Sequence, residues 1–550
     1  MTQSFATDPA PHNLPPALAD IDLWACDAIL RAAVRREGGD WVAARAQSLG
    51  RFVGSAEMQS LAADANQHPP SLRTHDRCGE RIDVVEYHPA YHRLMQVAFG
   101  AGLHSLAWKA ADRAGVFVAR AALNYLWNQG EQGTACPVTM TFAGVQVLRN
   151  QPMLSAHWEP KLLADDYDAR VLPLHEKRAA TVGMAMTEKQ GGSDLRANTS
   201  IAIPVDQHEH VLNGHKWFCS APMSDGFLTL AQRAEGPTCF LVPRVLPDGT
   251  RNRLIIVRLK DKLGNRSNAS SEIEYDRTHA WMIGEPGRGI ATLIEMAHLT
   301  RFDIVIAVAG MMRAAVRQAM HHARHRYAFG HALIDQPLMR NVLADLALEA
   351  EAAALLAFRL AGAFDRARSD QREQAYTRLV TPVAKYWLCK RLPMLVAEAL
   401  ECLGGNGYLE DWPLARLYRE APLNGVWEGS GNVICLDVLR AIEKMPTALE
   451  ALFDEMMPQA GQHPALSRHL ALLWNAIRNV SVPQRDARRI TEQLALSLQA
   501  GLLVKHAPPV VAAGFIASRL GGEGGHAFGT LPADVDCEAI LQRAIEASEN

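Results

Sequence analysis

Asn424-Gly425-Val426-Trp427-Glu428-Gly429-Ser430-Gly431-Asn432 sets a single carboxylate between an indole and two glycines spaced one apart. Glycines at 429 and 431 open backbone shapes closed to other residues, so a large planar ligand can approach the main chain here. Ser430 and Asn432 add short hydrogen-bonding side chains. Held against an apolar surface, the Glu428 carboxyl would lose hydration, and its pKa would rise toward the range of a general base. The same nine residues also describe an ordinary surface turn with a solvated glutamate. Their setting has to separate the two readings.

That setting is a chain of 550 residues, too long for one core and suited to about three or four domains. Hydrophobic residues at 48% and charged residues at 21% are those of a soluble globular protein, and a net charge of -3 argues neither for a wholesale nucleic-acid binder nor for a membrane-surface protein. Nine cysteines are scattered singly, without a CxxC pair or a Cys/His cluster at zinc spacing, so reduced thiols and no metal are expected. The start carries Asp and Pro where a signal peptide needs a basic end and an apolar run. No window approaches 18 uninterrupted apolar residues. These features predict a cytoplasmic protein with no membrane partner.

Working outward, residues 1–20 read as an extended Pro-rich arm (Pro9, Pro11, Pro15, Pro16). Residues 21–180 read as helical, most clearly at 114–127, where Val116, Val118, Ala119, Ala122, Leu123 and Leu126 give a broad apolar face. Further helices are expected at 136–148 and 161–163. At 181–288 the character changes to short runs of strand length: 227–231, 239–243, Leu254–Leu259, 272–275 and 281–283. Asn213-Gly214 reads as a two-residue hairpin turn. Helical periodicity returns at 289–445, with helices expected at 304–325, 341–359 and 382–403. It continues through a last block, 446–550, broken by Pro483 and Pro508-Pro509. The fold class is α+β, mostly helical.

Four further stretches carry chemistry. Met184-Ala185-Met186-Thr187-Glu188-Lys189-Gln190-Gly191-Gly192-Ser193-Asp194 contains a tight turn whose free N–H groups and hydroxyls suit a phosphate. It lacks the G-x-G-x-x-G pattern, so a Rossmann nucleotide site is unsupported. Trp217-Phe218-Cys219-Ser220 offers an aromatic ring and a hydroxyl at a strand end, suited to flank a ring system or to fill a core. Arg326-Tyr327-Ala328-Phe329-Gly330 offers a guanidinium fork for a pyrophosphate, or a charge that complements a helix C-terminus. Leu403-Gly404-Gly405-Asn406-Gly407-Tyr408 is a Gly-rich helix exit.

In this order, on helix–sheet–helix domains, Thr187…Ser193, Trp217…Ser220, Arg326…Gly330, Gly404-Gly405…Gly407 and Trp427-Glu428-Gly429-Ser430 resemble the acyl-CoA dehydrogenase family over roughly residues 50–445. The resemblance implies an N-terminal helical domain, a middle β-barrel-like domain and a helical bundle, with an additional C-terminal helical domain. It implies FAD between the β domain and the bundle, bound without a covalent link. Met184, Met186, Thr187, Phe218, Cys219 and Ser220 would face the ring, with Gly192 and Ser193 at the pyrophosphate. Trp427, Gly429, Ser430 and Asn432 would lie on the bundle side. Arg326, Phe329, Gly404 and Gly405 would reach the FAD of a neighbouring subunit, which implies a homotetramer. Glu428 would be the base that removes the α-proton of an acyl-CoA while hydride leaves the β-carbon for the flavin, and an electron-transfer flavoprotein would be the redox partner.

Departures from the family pattern are Lys189 for a common Pro, Glu401 for a common Gln and Trp427 for a common Tyr. Arg440 matches an arginine beside the flavin cavity in one branch of the family, where a cation would pair with Glu428 or meet a phosphate. That branch is associated with double-stranded DNA and the response to DNA alkylation. Here the block 446–550 holds 8 Lys and Arg against 11 Asp and Glu. Arg485, Arg488 and Arg489 at helical spacing, with Arg519, are its candidate phosphate contacts. An acyl-CoA oxidase, or a DNA-binding flavoprotein with little dehydrogenase activity, remains the alternative.

Overall fold

The computed structural model describes residues 13–461, 463–478 and 482–549, so Pro9 and Pro11 of the expected arm lie outside the described residues. The remaining arm is anchored to the bundle: Pro16 O lies 2.8 Å from His321 Nε2, and Asn13 bonds both backbone polar groups of Tyr327.

Helices Ala28–Arg36, Ala43–Val53, Ala56–Gln67, Pro89–Gly100, Val116–Trp127 and Ala135–Leu148 form most of the first region. Val116–Trp127 is buried along its whole length, which puts Arg120 inside the core. Asp303 answers it, with Oδ1 2.5 Å from Nη1 and Oδ2 2.7 Å from Nη2, and the Leu103 carbonyl accepts from Nε. The all-helical reading of this region misses a hairpin of β1 (Ser71–His75) and β2 (Arg81–Glu86). Its turn is set by the Asp76 carboxylate, which accepts from the N–H groups of Cys78 and Glu80, and by Gly79 at φ +85°. The hairpin docks on the barrel through Arg81 to Ile256 O and Asp83 to Arg251.

The middle region is a seven-stranded sheet of β3 (Val182–Ala185), β4 (Ile201–Pro204), β5 (Glu209–Ser220), β6 (Gly226–Arg233), β7 (Gly236–Pro243), β8 (Leu254–Leu259) and β9 (Ser270–Ile283). It closes on itself through β6–β7 and β4–β6 pairing, with β3 added beside β6 and β8 beside β9. Asn213-Gly214 is not a turn. Both residues lie inside β5, facing Asp276 and Tyr275 of β9 across a bulge that leaves Arg277 as the extra residue at φ +52°. Glycine is needed at 214 because its φ is +147° and a Cβ would stand 2.6 Å from Ser200 Cα. The same bulge merges the two short runs expected at 272–275 and 281–283 into one strand.

Helices Gly289–His325, Pro337–Arg366, Gln371–Glu401 and Gly431–Lys444 make the bundle. The third starts eleven residues before the expected 382. Asp370 caps it by accepting from Arg372 and Glu373 N–H, and Pro382 is carried inside the helix. The last block adds Pro446–Ala460, Pro464–Arg478, Ala487–His506, Pro509–Arg519 and Cys537–Glu549. It shares one hydrophobic core with the bundle, and Ala487–His506 lies against three of the bundle helices.

Removing one partner of a buried ion pair strands the other. Asp303→Asn should lower the unfolding free energy by about 3–5 kcal/mol in urea titrations, with an Arg120→Met/Asp303→Leu double variant recovering most of it. An unshifted midpoint for Asp303→Asn would contradict the role given to this pair.

Candidate functional site

Glu428 sits on the short loop between the 3₁₀ turn Ala421–Gly425 and the helix Gly431–Lys444. Its φ is +56° and that of Gly429 is +105°, so the loop cannot continue a right-handed helix and its carbonyls need partners elsewhere. Two cations, the buried Lys385 and the half-buried Arg301, supply them. Lys385 Nζ donates to the carbonyls of Trp427 at 2.8 Å and Gly429 at 2.6 Å, and Arg301 Nε donates to that of Glu428 at 2.8 Å. Arg301 is fixed in turn by Asp437 at 2.9 Å, which Arg378 also holds. The Thr300 hydroxyl donates to Glu428 Oε2 at 2.7 Å. Burial raises the Glu428 pKa above the ordinary carboxylate range, against the opposing pull of Thr300, Arg301 and Lys385. The Trp427 indole Nε1 is enclosed without a protein partner among the described residues.

The facing wall comes from the barrel. Glu188, fully buried, accepts from Lys216 Nζ at 2.7 Å and from Thr199 N–H at 2.6 Å. Burial works to raise its pKa, but Lys216 and these donors outweigh it and bring the carboxyl down to about 2. This buried pair pins the turn that displays Thr187, Gly192 and Ser193, of which the last two are exposed. Thr187 O accepts from Trp217 N–H at 2.7 Å, tying the turn to the end of β5. There Phe218 leaves 48% of its surface uncovered, while Cys219 is buried and Ser220 is half-buried. Met184 and Met186 are partly buried against the main hydrophobic core. Cys136, on the helix Ala135–Leu148, joins the two walls. It neighbours Ser220 and Asn268, senses the charge of Glu428, and is pushed by burial up to about 12.

Arg326 follows the helix Gly289–His325 and binds Asn13 O of the arm, while Phe329 is 96% exposed at φ +51°. Gly404 and Gly405 are exposed, with open space where a Cβ would stand. Ser430 and Asn432 are exposed at the start of the helix Gly431–Lys444. Arg440 is exposed in the later part of that helix and is not the cation on Glu428, a part taken by Arg301 and Lys385. Arg519 departs from its expected role. Asp345 at 2.5 Å and Glu349 at 3.1 Å consume its guanidinium, so it is no phosphate contact. Arg485, Arg488 and Arg489 are exposed, with Arg488 Nε donating to Asn432 Oδ1 at 2.8 Å and Arg489 3.5 Å from Asp486.

Models of known families match most of the chain. The one described as Adaptive response protein AidB N-terminal domain matches residues 13–169, the acyl-CoA dehydrogenase middle domain 183–278 and the acyl-CoA dehydrogenase C-terminal domain 287–443. The Escherichia coli (strain K12) protein described as "Putative acyl-CoA dehydrogenase AidB" is 45% identical over 514 residues, covering 93% of this chain and 94% of that protein. The chain belongs to the acyl-CoA dehydrogenase family. Caenorhabditis elegans ACDH-11, solved in complex with C11-CoA, superposes with a TM-score of 0.84 at 25% identity, covering 100% of this chain and 93% of that one. An acyl-CoA dehydrogenase from Bacillus anthracis, solved complexed with FAD, shares the fold at a TM-score of 0.63 and 18% identity, over 84% of this chain and 81% of that one.

Sequence reasoning missed Lys385, Arg301, Thr300 and the Glu188–Lys216 pair. Lys385 left a trace: it is a lone charge in the apolar run 379–389. Because Glu428 prefers to be neutral in the folded protein, its charge destabilises the fold above the folded pKa and costs nothing below the unfolded one. Glu428→Gln should therefore unfold at a higher temperature than the parent at alkaline pH, with the gap closing as pH falls into the ordinary carboxylate range. A gap that widened toward acid would contradict the raised pKa.

Proposed function

We propose that the protein is an FAD-dependent acyl-CoA dehydrogenase in which Glu428 is the catalytic base. The observation that carries this is the desolvated Glu428 carboxyl on a loop clamped by Lys385 and Arg301, with Cys136 between it and the Ser220 hydroxyl of the barrel. The side chains suit a flat ring with polar edges: Phe218 offers an exposed aromatic face, Trp427 a buried indole N–H without a partner among the described residues, and Ser220 and Ser270 offer hydroxyls. Met184, Met186, Thr187, Phe218, Cys219 and Ser220 would line the ring, and Gly192 and Ser193 the phosphates. Trp427, Gly429, Ser430 and Asn432 would close the bundle side.

FAD, when bound, supplies the acceptor for the hydride that leaves the β-carbon. Glu428 takes the proton from the α-carbon as the C=C bond forms, so one carboxylate and two electrons balance the step. Desolvation makes this carboxylate a stronger base, and Thr300 keeps one oxygen aimed. The Glu428 N–H polarises the thioester carbonyl, an electrostatic role that the clamped backbone preorganises. An acyl-CoA is the substrate class, in keeping with the C11-CoA of the Caenorhabditis elegans neighbour. Phe329 at 96%, Leu338 at 83% and Tyr408 at 80% exposure are apolar surface suited to cover by further copies, as a homotetramer with Arg326, Gly404 and Gly405 near a neighbour's cofactor would require.

A second activity, double-stranded DNA binding in an alkylation response, is favoured by one observation. Arg485, Arg488 and Arg489 form an exposed stripe that touches Asn432, four residues from Glu428.

Mixing the FAD-loaded protein anaerobically with a panel of saturated acyl-CoA thioesters should bleach the flavin of the parent. Glu428→Gln should retain FAD and bleach about 10²–10⁴-fold more slowly; bleaching at the parental rate would move the base elsewhere. Reversing Arg485, Arg488 and Arg489 to Glu should abolish salt-sensitive retention of duplex DNA. Unchanged retention would remove this stripe from the account.

A further inference from the structure

Behind Ser220 runs a polar string that proton transfer at Glu428 does not use. The Ser220 and Ser270 hydroxyls, on paired ends of β5 and β9, are 3.3 Å apart. Lys262, in the loop before β9, donates from Nζ to Ser270 Oγ at 3.2 Å, to the Asn268 carbonyl at 2.6 Å and to Asn265 Oδ1 at 3.3 Å. All three partners are neutral oxygens, and among the described residues no carboxylate forms an ion pair with this ammonium. Lys262 is half-buried, and loss of hydration brings its pKa down to about 8, so an ammonium answered only by neutral groups is costly and needs a reason to be there. Its charged neighbours do not supply one. The Cys136 thiol stays protonated, and Glu420 is pushed up to about 7 by burial, with Glu131 beside it adding to the rise.

An ammonium has donors and no acceptor, so it turns the oxygen of Ser270 toward itself and the Ser270 proton away, onto Ser220 Oγ. With that oxygen engaged, the Ser220 proton faces the recess. Its other neighbour, the Cys136 sulfur, is a weak acceptor and yields to a better one. Chains of this kind polarise in one direction, and the cation sets which.

We propose that Lys262 is a positioning residue that, through Ser270, holds the Ser220 hydroxyl as a hydrogen-bond donor into the recess, toward the edge of the bound ring that gains electron density on reduction. This rests on the FAD reading above. Lys262 thereby favours the reduced cofactor over the oxidised one, and its own charge adds to the effect.

The test is the midpoint potential of the flavin in the full-length FAD-loaded protein, by spectroscopic redox titration, for the parent, Lys262→Met, Ser270→Ala and the double variant. Lys262→Met should weaken the preference for the reduced ring by about tenfold, a shift of about 30 mV to lower potential for a two-electron couple. Ser270→Ala keeps the cation and breaks the string, and should move the potential the same way. The double variant should go no further than Lys262→Met. A flavin-loaded Lys262→Met with the parental potential would overturn the proposal, as would a Ser270→Ala potential that stays put. Should Lys262→Met fail to fold, Ser270→Ala decides alone. A purified parent chain that takes up no FAD would overturn the cofactor reading itself, an outcome distinct from unmoved potentials.

Discussion

Three successive carbonyls, those of Trp427, Glu428 and Gly429, are gripped by Lys385 and Arg301. The positive φ values at 428 and 429 deny these groups helical partners, and a buried carbonyl left unpaired costs about 1–3 kcal/mol. Charged donors repair this with bonds worth about 1.5–3 kcal/mol each. The clamp also transmits position. Lys385 stands on the helix Gln371–Glu401 and Arg301 on Gly289–His325, so the carboxyl of Glu428 is placed by the packing of the bundle. Arg301 is itself tied through Asp437 to the helix that follows the loop.

The barrel meets this loop with a wall built by the same device. Glu188 and Lys216, both fully buried, neutralise each other, and the carboxylate gathers the side-chain amide of Gln190 and the backbone amides of Thr199 and Ser200. In both walls a buried ion or ion pair holds irregular backbone that no ladder could hold, and the irregular backbone displays the chemistry. The Arg120–Asp303 pair joins the first helical region to the helix that carries Thr300 and Arg301. Displacement of the N-terminal region would therefore be felt at Glu428.

Much of this is legible in the sequence. Trp427 to Asn432 announces its glycines and its lone carboxylate, and the Glu188–Ser193 turn announces its small residues. Periodicity separates the helical regions from the barrel. What escapes depends on partners distant in sequence. Arg301 looks like a helix-surface charge until the loop it holds is folded against it, and Lys385 shows only as a lone charge in an apolar run. Arg519 looks like a phosphate contact until Asp345 and Glu349 surround it. Asn213-Gly214 has the composition of a hairpin turn, and only the crowding against Ser200 reveals a bulge. The β1–β2 hairpin is short and gains its hold from Arg251 and Ile256, residues far along the chain.

The claim that the clamp places the base is tested most directly by Lys385→Met. The variant should keep its far-ultraviolet circular dichroism and its FAD, yet lose most of the anaerobic flavin bleaching by an acyl-CoA that the parent accepts. Bleaching at the parental rate, with FAD and fold intact, would mean that Glu428 does not depend on the clamp and would contradict the account.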